Sequence, residues 1–416
     1  MYPSTNLRWM IVGLLALATA LNYLDRQTLP VVISEVQKEI PVSNAEYSQL
    51  QFYFLLAYGI MYAGGGRLVD LLGSRAGYLL VIGWWSAATI LHGFANSVAM
   101  LGAARFLLGL GEGGGFPASA KVVSEWFTAR DRSFAFGIFN TGSSVGAVVA
   151  PPLIAAIVTA SDWRWVFYIT GGAGFLWALA WWWLYQDAPK NHAANEQSEL
   201  QSRRSPATPW LQLFRIRQVR GLLLAKFLSD SAWFFFIFWL PKYLADVRGL
   251  NISEIGYYAW IPYAFAGMGS YVGGWLGSFL IRRNRSVDAS RKLTLGLAAC
   301  LMPFALGIGY VPLSGAIVLF SLVMLGHQFW STILQTVPAD MFPSTTVGSV
   351  AGLMGAAGSF GGMLFNLAVG EILTRYESYL SVFAVSGLLH LVSFGVIVLV
   401  VGKIQLLTQQ ELGARA

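Results

Sequence analysis

A polar stretch near the middle of the chain, DAPKNHAANEQSELQSRRSPATPWLQLFRIRQ (187–218), divides an otherwise apolar sequence into two halves. Six long apolar runs precede it and six follow it. A helix that crosses a membrane needs about 20 mostly apolar residues, which is roughly the length of each run. The twelve runs are 9–33, 46–66, 77–95, 98–123, 133–159, 164–185, 219–244, 254–281, 293–311, 314–337, 347–372 and 378–402. The sequence therefore predicts an all-α integral membrane protein with twelve transmembrane helices.

The composition agrees with a bilayer as the surrounding solvent. Of the 416 residues, 56% are hydrophobic and 11% are charged, whereas soluble domains contain about 25% charged residues. Tryptophan and glycine, both frequent in membrane helices and at their interfaces, occur 16 and 45 times. The single cysteine, Cys300, excludes an intrachain disulfide. No small-residue cleavage site follows the first run, so we expect it to be a retained helix rather than a signal peptide.

Lysine and arginine are distributed unevenly between the two sets of loops that twelve helices create. The termini, the stretch 187–218 and the loops on the same side contain 18 of the 27 basic residues. The opposite loops, with the adjoining ends of the runs, contain five, and the remaining four lie inside the predicted helices. Loops rich in Lys and Arg stay in the cytoplasm, which predicts cytoplasmic termini. The net charge of +7 is thus mostly a topology signal and does not indicate nucleic-acid binding.

The two halves resemble each other in sequence. At a shift of 215 residues, EWFTARDRSFAFGIFNTGSSVGA (125–147) aligns with DMFPSTTVGSVAGLMGAAGSFGG (340–362), and Phe127 aligns with Phe342. Parallel repeats of this kind occur in secondary transporters that bind their substrate centrally, between the repeats. The predicted organisation is therefore three segments around a central cavity. These are an N-terminal six-helix bundle (1–186), a cytoplasmic linker (187–218) and a C-terminal six-helix bundle (219–416).

A short motif, GRLVDLLGSR, lies between the second and third runs. It matches the loop pattern G-x-L-x-D-x-x-G-x-R of the major facilitator superfamily. Glycines at Gly66 and Gly73 permit a tight turn. By this resemblance, Asp70 and Arg75 are gating and structural residues rather than ligands, and the expected architecture is the fold of that superfamily.

Four charged residues lie away from the ends of apolar runs in the first half. Asp25 and Arg26 occur in LNYLDRQTLP of the first run, and Arg105 and Glu112 occur in RFLLGLGEGGGFP of the fourth. Arg105 and Glu112 are about two turns apart, so they share one helix face. Charge inside a membrane costs about 2.5–3.5 kcal/mol per group on insertion scales and persists where it is paired or has a function. The sequence predicts a cluster of these four residues across the first and fourth helices, either as a structural ion-pair network or as a binding site.

The same stretches resemble the anion:cation symporter family, which includes bacterial sugar-acid transporters and the related animal sialin and vesicular glutamate transporters. The resemblance rests on NYLDR, on the R-x6-E spacing with its glycine run, and on SEWFTARDRSFAFGIFNTGSSVGAVVAPPL. In the second half, KFLSDSAWFFFIFWLP, SRKLTLGLAACLM and GHQFWSTILQ look most like hexuronate transporters. Galactonate transporters share the first-half motifs almost as well. The resemblance implies proton-coupled import of glucuronate or galacturonate, with an aldonate or another carboxylate as the alternative.

The family pattern also suggests roles for individual residues. It implies substrate binding by Arg26 and Arg105, whose planar fork suits a carboxylate, and proton coupling by Asp25 and Glu112. We expect Asp25 to control the availability of Arg26 and Glu112 to carry the coupled proton. Tyr58 matches a cavity tyrosine.

Further candidates for substrate binding are Tyr23 and, in the second half, His327, Gln328 and Asn366. The three second-half residues can exchange hydrogen bonds with sugar hydroxyls, although polar residues in helices often serve packing alone.

Several functional classes fit less well. An exporter is disfavoured because the fifth run reads APPLI where export antiporters tend to have G-P-x-x-G-G. A membrane enzyme is disfavoured because no closely spaced histidines or cysteines suggest a catalytic metal. A channel is disfavoured by the two-repeat organisation. We therefore expect no enzyme activity, no cofactor other than the coupling proton, no metal and no nucleic-acid partner. The expected partners are a small carboxylate sugar and membrane lipid, for a monomer in the bacterial inner membrane.

Overall fold

In the computed structural model, every regular element within the described residues, 5–127, 129–186 and 210–407, is a helix. For Gly66 and Asp70 only the backbone is described. The α-helices in these ranges are α1 (Thr5–Val36), α2 (Asn44–Gly93), α3 (Val98–Glu112), α4 (Gly115–Trp126), α5 (Ala129–Ala160), α6 (Trp163–Leu184), α7 (Trp210–Leu213), α8 (Arg217–Asp246), α9 (Ile252–Arg282), α10 (Val287–Ala299), α11 (Leu313–Met341), α12 (Ser344–Tyr376) and α13 (Leu380–Val396). A 3-10 helix (Met302–Tyr310) follows α10, and a π-helix (Ile397–Val401) follows α13. The predicted all-α fold class is confirmed.

Eight helical stretches in the described ranges are long and apolar enough to cross a membrane, by length and composition. They are Leu7–Val36, Phe134–Ala160, Arg217–Asp246, Ile252–Arg282, Val287–Tyr310, Leu313–Met341, Thr346–Tyr376 and Leu380–Val401. The other four predicted runs fall on α2, which contains two of them, on α3 with α4, and on α6. The count of twelve spans and the cytoplasmic termini stay predictions.

The long helix α2 is interrupted where the sequence predicts a loop. Its 50 residues would extend about 75 Å, far more than the roughly 30 Å of one hydrocarbon core. Gly73 leaves the helical conformation, with φ 78° and ψ 161°, a region that residues with a Cβ avoid. The predicted runs 46–66 and 77–95 lie on either side of this break. α2 therefore consists of two helical segments joined at Gly73, and each contains one of the predicted runs.

A glycine-rich break also divides the fourth predicted run, 98–123. α3 ends at Glu112, and α4 begins three residues later, at Gly115. α3 packs against the first half of α2 at backbone distance, because a Cβ added to Gly109 would overlap the carbonyl oxygen of Phe54. The glycine run thus lets α3 approach α2 closely and positions the end of α3, where Glu112 lies.

The loop motif is described only in part. Arg75 Nη2 donates to the Trp182 carbonyl oxygen at 2.6 Å, and its guanidinium carbon lies 4.7 Å from the centre of the Trp182 ring. The motif therefore joins α2 to the end of α6. The side chain of Asp70 lies outside what is described, so the gating role of this motif stays a prediction.

Packing divides the chain into two compact units. The first comprises Met1–Gln201 with Ile237–Trp260, and the second comprises Ser202–Phe236 with Ile261–Ala416. Most of the predicted linker (187–218) lies outside the described residues. The boundaries of the predicted bundles, 1–186 and 219–416, stay a prediction.

In the first unit, small residues allow α5 to contact α1. A Cβ added to Gly142 would overlap the carbonyl oxygen of Ala16, and one added to Gly146 would overlap that of Ala20. Because lipid tails are as apolar as leucine side chains, helices in a membrane associate mainly through close packing of this kind.

In the second unit, α8, α10, α11, α12 and the π-helix share one apolar core. Its largest fully buried side chain is Trp330 on α11. Other buried members of this core include Leu222, Leu295, Leu334, Met341, Met354 and Ile397. α11 contributes many of them, so its polar residues are placed among well-packed neighbours.

The sequence repeat has a structural counterpart. Phe127 after α4 has φ −122° and ψ 135°, and Phe342 after α11 has φ −122° and ψ 149°. Both residues are extended C-caps whose N–H bonds to the carbonyl four residues earlier. The aligned acids next to them also accept buried or half-buried hydrogen bonds, Glu125 from Ser74 and Asp340 from Arg291. The aligned segments therefore share a local conformation.

Candidate functional site

A buried ion pair joins α1 to the end of α3. Arg26 Nε lies 2.9 Å from Glu112 Oε2, and the two side chains are 4% and 0% exposed. Arg26 Nη2 also donates to Asn22 Oδ1 at 3.1 Å. The second carboxylate oxygen of Glu112 is buried without a hydrogen-bond partner among the described residues. The pair therefore leaves part of its hydrogen-bonding capacity unused.

Three aromatic rings surround the guanidinium of Arg26. Its Cζ lies 4.7 Å from the ring centre of Tyr58, 4.8 Å from that of Tyr23 and 5.6 Å from that of Phe54. Cation–π contacts of this kind contribute about 0.5–2 kcal/mol each. The structure thus brings the predicted residues Tyr23 and Tyr58 together around Arg26.

Arg105 lies on α3, about two helical turns before Glu112 and close to Arg26. It is fully buried, and none of its three guanidinium nitrogens has a hydrogen-bond partner in the described part of the chain. Its Cζ lies 5.5 Å from the Phe54 ring, and it interacts electrostatically with Glu112 and Arg26. A buried guanidinium without acceptors is costly, so this site favours an added anion.

Asp25 is separate from Arg26, although the two are neighbours in sequence. It is 2% exposed, and neither carboxylate oxygen has a hydrogen-bond partner among the described residues. The side chains that face it are Thr89 on α2 and Thr170 on α6, and Glu112 interacts with it electrostatically. The structure pairs Arg26 with Glu112, and the expected control of Arg26 by Asp25 stays a prediction. Successive residues on a helix point about 100° apart, which explains the separation.

In the second unit, His327 belongs to a buried pair of histidines. Its Nδ1 lies 3.0 Å from Nε2 of His390 on α13, and Trp233 stacks on its ring with centres 4.6 Å apart. His327 is therefore a packed and hydrogen-bonded residue in this conformation. Its predicted contact with substrate stays a prediction.

The other two second-unit candidates differ in burial. Asn366 is fully buried, and its Nδ2 donates to the Gly362 carbonyl oxygen at 2.7 Å, one helical turn earlier. Gln328 is half-buried on α11. Substrate binding by either residue stays a prediction.

A further charged pair, Lys226 with Asp230, lies on α8. Their Nζ and Oδ2 atoms are 2.9 Å apart at i,i+4 spacing. Asp230 also contacts α12, because a Cβ added to Gly358 would overlap its carboxylate. This geometry agrees with the self-neutralised pair that the spacing indicates.

Several buried polar residues were missed by the sequence analysis. Gln27 and Gln51 are 1% and 0% exposed, and neither side-chain amide has a partner among the described residues. Thr89, Thr170 and His390 were missed as well. The sequence shows each of them as a polar residue within an apolar run. Uncharged polar residues are common in such runs, so this feature alone does not identify a functional residue.

No group of three or more His, Cys, Asp and Glu residues that could hold a metal ion is found among the described residues. The first unit instead combines two buried arginines with two buried carboxyl groups. Such a set can bind an organic anion and exchange a proton.

The fold and these buried charges define a class of membrane protein. A family model of the Major Facilitator Superfamily matches residues 15–366. The chain belongs to this superfamily and is a multi-pass membrane transporter, not an enzyme.

Several bacterial transporters of known name are similar in sequence to the chain. The chain is 34% identical over 382 residues to the hexuronate transporter of Escherichia coli K12, covering 88% of each protein. It is 33% identical over 315 residues to the galacturonate transporter of Dickeya chrysanthemi, covering 73% of this chain and 91% of the relative. It is 28% identical over 389 residues to the D-galactonate transporter of Escherichia coli O6:H1, with coverage of 89% and 90%.

A solved structure supports the fold. A bacterial homologue of the human lysosomal transporter Spinster, in an inward-facing and occupied conformation, superposes with a TM-score of 0.72. The comparison covers 99% of this chain and 94% of that protein at 19% identity. The architecture predicted from the loop motif is thus confirmed.

Proposed function

We propose that the protein is a proton-coupled symporter that imports an organic anion across a bacterial cytoplasmic membrane by alternating access. The proposed substrate is a hexuronate such as glucuronate or galacturonate. The similarity to a hexuronate transporter and a galacturonate transporter supports this substrate class.

The proposal rests mainly on the hydrogen-bond and ion-pair partners of the two buried arginines. Arg105 has no hydrogen-bond partner among the described residues, and Arg26 is held by Glu112. An arginine that is already desolvated binds a carboxylate strongly through two parallel hydrogen bonds. A sugar acid supplies one such carboxylate, together with hydroxyl groups for neighbouring polar residues.

The ion pair between Arg26 and Glu112 supplies the proposed coupling step. A proton that binds to Glu112 neutralises the carboxylate and weakens its hold on Arg26. Arg26 can then bind the carboxylate of the substrate, with Tyr23 and Tyr58 flanking the guanidinium. When the proton leaves, Glu112 competes for Arg26 again, and the substrate is released.

Asp25 is proposed as a second proton-linked carboxyl group. It is buried beside two threonine hydroxyls and contacts no cation in the described part of the chain, and an isolated buried carboxylate is unfavourable in its ionised form. Its proposed influence on proton coupling passes through its electrostatic interaction with Glu112 rather than through contact with Arg26.

The decisive experiment is transport by purified protein in liposomes. Labelled D-glucuronate should accumulate when the outside is more acidic than the inside, and a protonophore should abolish the accumulation. Equal uptake with and without the gradient would contradict proton coupling. Efflux of cationic dyes without glucuronate uptake would favour an exporter instead.

An aldonate is the second candidate substrate. The similarity to a D-galactonate transporter over nine-tenths of the chain favours it. Competition between labelled glucuronate and unlabelled galactonate distinguishes the two. If unlabelled galactonate inhibits half of the uptake at a lower concentration than unlabelled glucuronate does, the preferred substrate is an aldonate rather than a hexuronate.

A further inference from the structure

Gln51 on α2 is a buried amide without a described hydrogen-bond partner. Gln51 is 0% exposed, and both Nε2 and Oε1 of its side chain lack a hydrogen-bond partner within the described ranges. One turn earlier, Ser48 is also buried, but its hydroxyl donates to the Ala45 carbonyl oxygen at 2.7 Å. Burial alone therefore does not explain why the Gln51 amide is unpaired. An unmade hydrogen bond in a buried site is unfavourable unless a ligand or water completes it.

The packing of α2 against α3 places Gln51 at the level of Arg105. A Cβ added to Gly102 would meet the side chains of Tyr53 and Leu50, and one added to Gly109 would overlap the backbone of Phe54. Arg105 lies between these two glycines on α3, and Gln51 lies within the segment of α2, residues 50–54, that contacts them. Because the two helices stay in contact over this length, the two residues face the same layer of the unit.

The face of α2 that carries Gln51 also points toward Arg105. Tyr47, Gln51 and Phe54 are spaced four and three residues apart, so they share one helix face. The Phe54 ring lies 5.5 Å from the Arg105 guanidinium, and Tyr47 interacts with Arg105 electrostatically. Gln51 lies between these two neighbours of Arg105, and its side chain is thereby directed to the same place.

The neighbours of Gln51 on this face do not satisfy its amide. The Tyr47 hydroxyl donates to the Phe238 carbonyl oxygen at 2.6 Å, and Phe54 has no polar side-chain atom. Gln51 thus offers two donors and an acceptor next to a guanidinium whose donors also have no partner among the described residues.

We propose that Gln51 and Arg105 together form a subsite for a hydroxy acid, in which Arg105 binds the carboxylate and the Gln51 amide binds a hydroxyl group near it. The inference rests on the proposed function and extends it to the basis of selectivity. A hydroxyl both donates and accepts hydrogen bonds, as the amide does. A carboxylate without hydroxyl groups would leave the amide buried and unpaired, and sites of this kind reject such analogues strongly.

The test compares two ligands that differ only in their hydroxyl groups. Binding of D-glucuronate and of tetrahydropyran-2-carboxylate, the same ring acid without hydroxyls, is measured by titration calorimetry on the purified full-length protein. Gln51→Leu removes the amide at similar volume. Ser48→Ala is the matched control, since it removes a buried polar group whose hydrogen bond lies within its own helix.

Gln51→Leu should weaken glucuronate binding by about tenfold, as the loss of one or two hydrogen bonds implies. It should leave the affinity for tetrahydropyran-2-carboxylate within about twofold, and Ser48→Ala should change neither ligand. Equal effects of Gln51→Leu on both ligands, or no effect on either, would overturn the subsite. In that case, binding of glucuronate by the wild-type protein would still support the proposed function. Failure of the wild-type protein to bind glucuronate would overturn both.

Discussion

Arg26 forms its ion pair with Glu112, 86 positions away in the chain, and not with the adjacent Asp25. The bond between Nε and Oε2 is 2.9 Å long and connects α1 to the last residue of α3. Breaking a buried pair by removing one partner typically costs about 3–5 kcal/mol. In the proposed function, a substrate carboxylate or a proton that disrupts this pair would change a contact between two helices, which would give binding a direct route to conformational change.

Glu112→Gln should uncouple transport from the proton gradient. Glutamine keeps an oxygen that can accept from Arg26 Nε but cannot take up the coupled proton. We expect gradient-driven accumulation of glucuronate in liposomes to fall to the level without a gradient, while exchange of internal for external substrate persists in part. Glu35→Gln is the control, since Glu35 on the same helix as Arg26 pairs with Lys38. Normal concentrative uptake by Glu112→Gln would refute its role.

Arg105→Lys should weaken substrate binding although it preserves the charge. Lysine lacks the planar fork that forms two parallel bonds with a carboxylate. We expect the Kd for glucuronate to rise about tenfold or more, and Arg105→Ala to abolish detectable binding. Arg375→Lys on α12 serves as the control, because Arg375 forms an exposed pair with Glu371. An unchanged Kd in Arg105→Lys would show that the guanidinium does not contact the carboxylate.

Asp25→Asn should leave the affinity for substrate nearly unchanged. Asp25 has no hydrogen-bond partner within the described ranges, and the pair between Arg26 and Glu112 does not include it. We expect the Kd for glucuronate to change by less than about threefold, a shift of under about 0.7 kcal/mol, while gradient-driven accumulation is reduced. A much larger loss of affinity would contradict this expectation and support the sequence-based hypothesis that Asp25 controls Arg26.

The sequence identified the charged residues of the site because charge inside an apolar run is rare. It also predicted the division of α2, since Gly73 lies between two runs. Which carboxyl group pairs with Arg26 was not predictable, because that depends on the rotation of α1 relative to α3. Helical spacing fixes which residues share a face, but it does not fix the partner across an interface.

Neutral polar residues were harder to recognise. Gln51 occurs among other polar residues near the start of α2, where it resembles an ordinary residue of a helix end. The pair of His327 and His390 joins residues 63 positions apart on different helices. Only the packing of the helices reveals that these side chains are buried and where they meet other groups.

Gly109→Ala should destabilise the protein through the contact between α2 and α3. An added Cβ would overlap the Phe54 carbonyl oxygen, and backbone atoms cannot move aside as a side chain can. Overpacking of this kind costs about 1–3 kcal/mol, so the apparent melting temperature in detergent should fall. Gly13→Ala on α1 is the matched control, because nothing lies within 4 Å of its added Cβ. Since the overlap moves the very segment that positions Arg105 and Glu112, glucuronate binding should weaken as well. Equal melting temperatures for the two variants would contradict the packing of α3 described above.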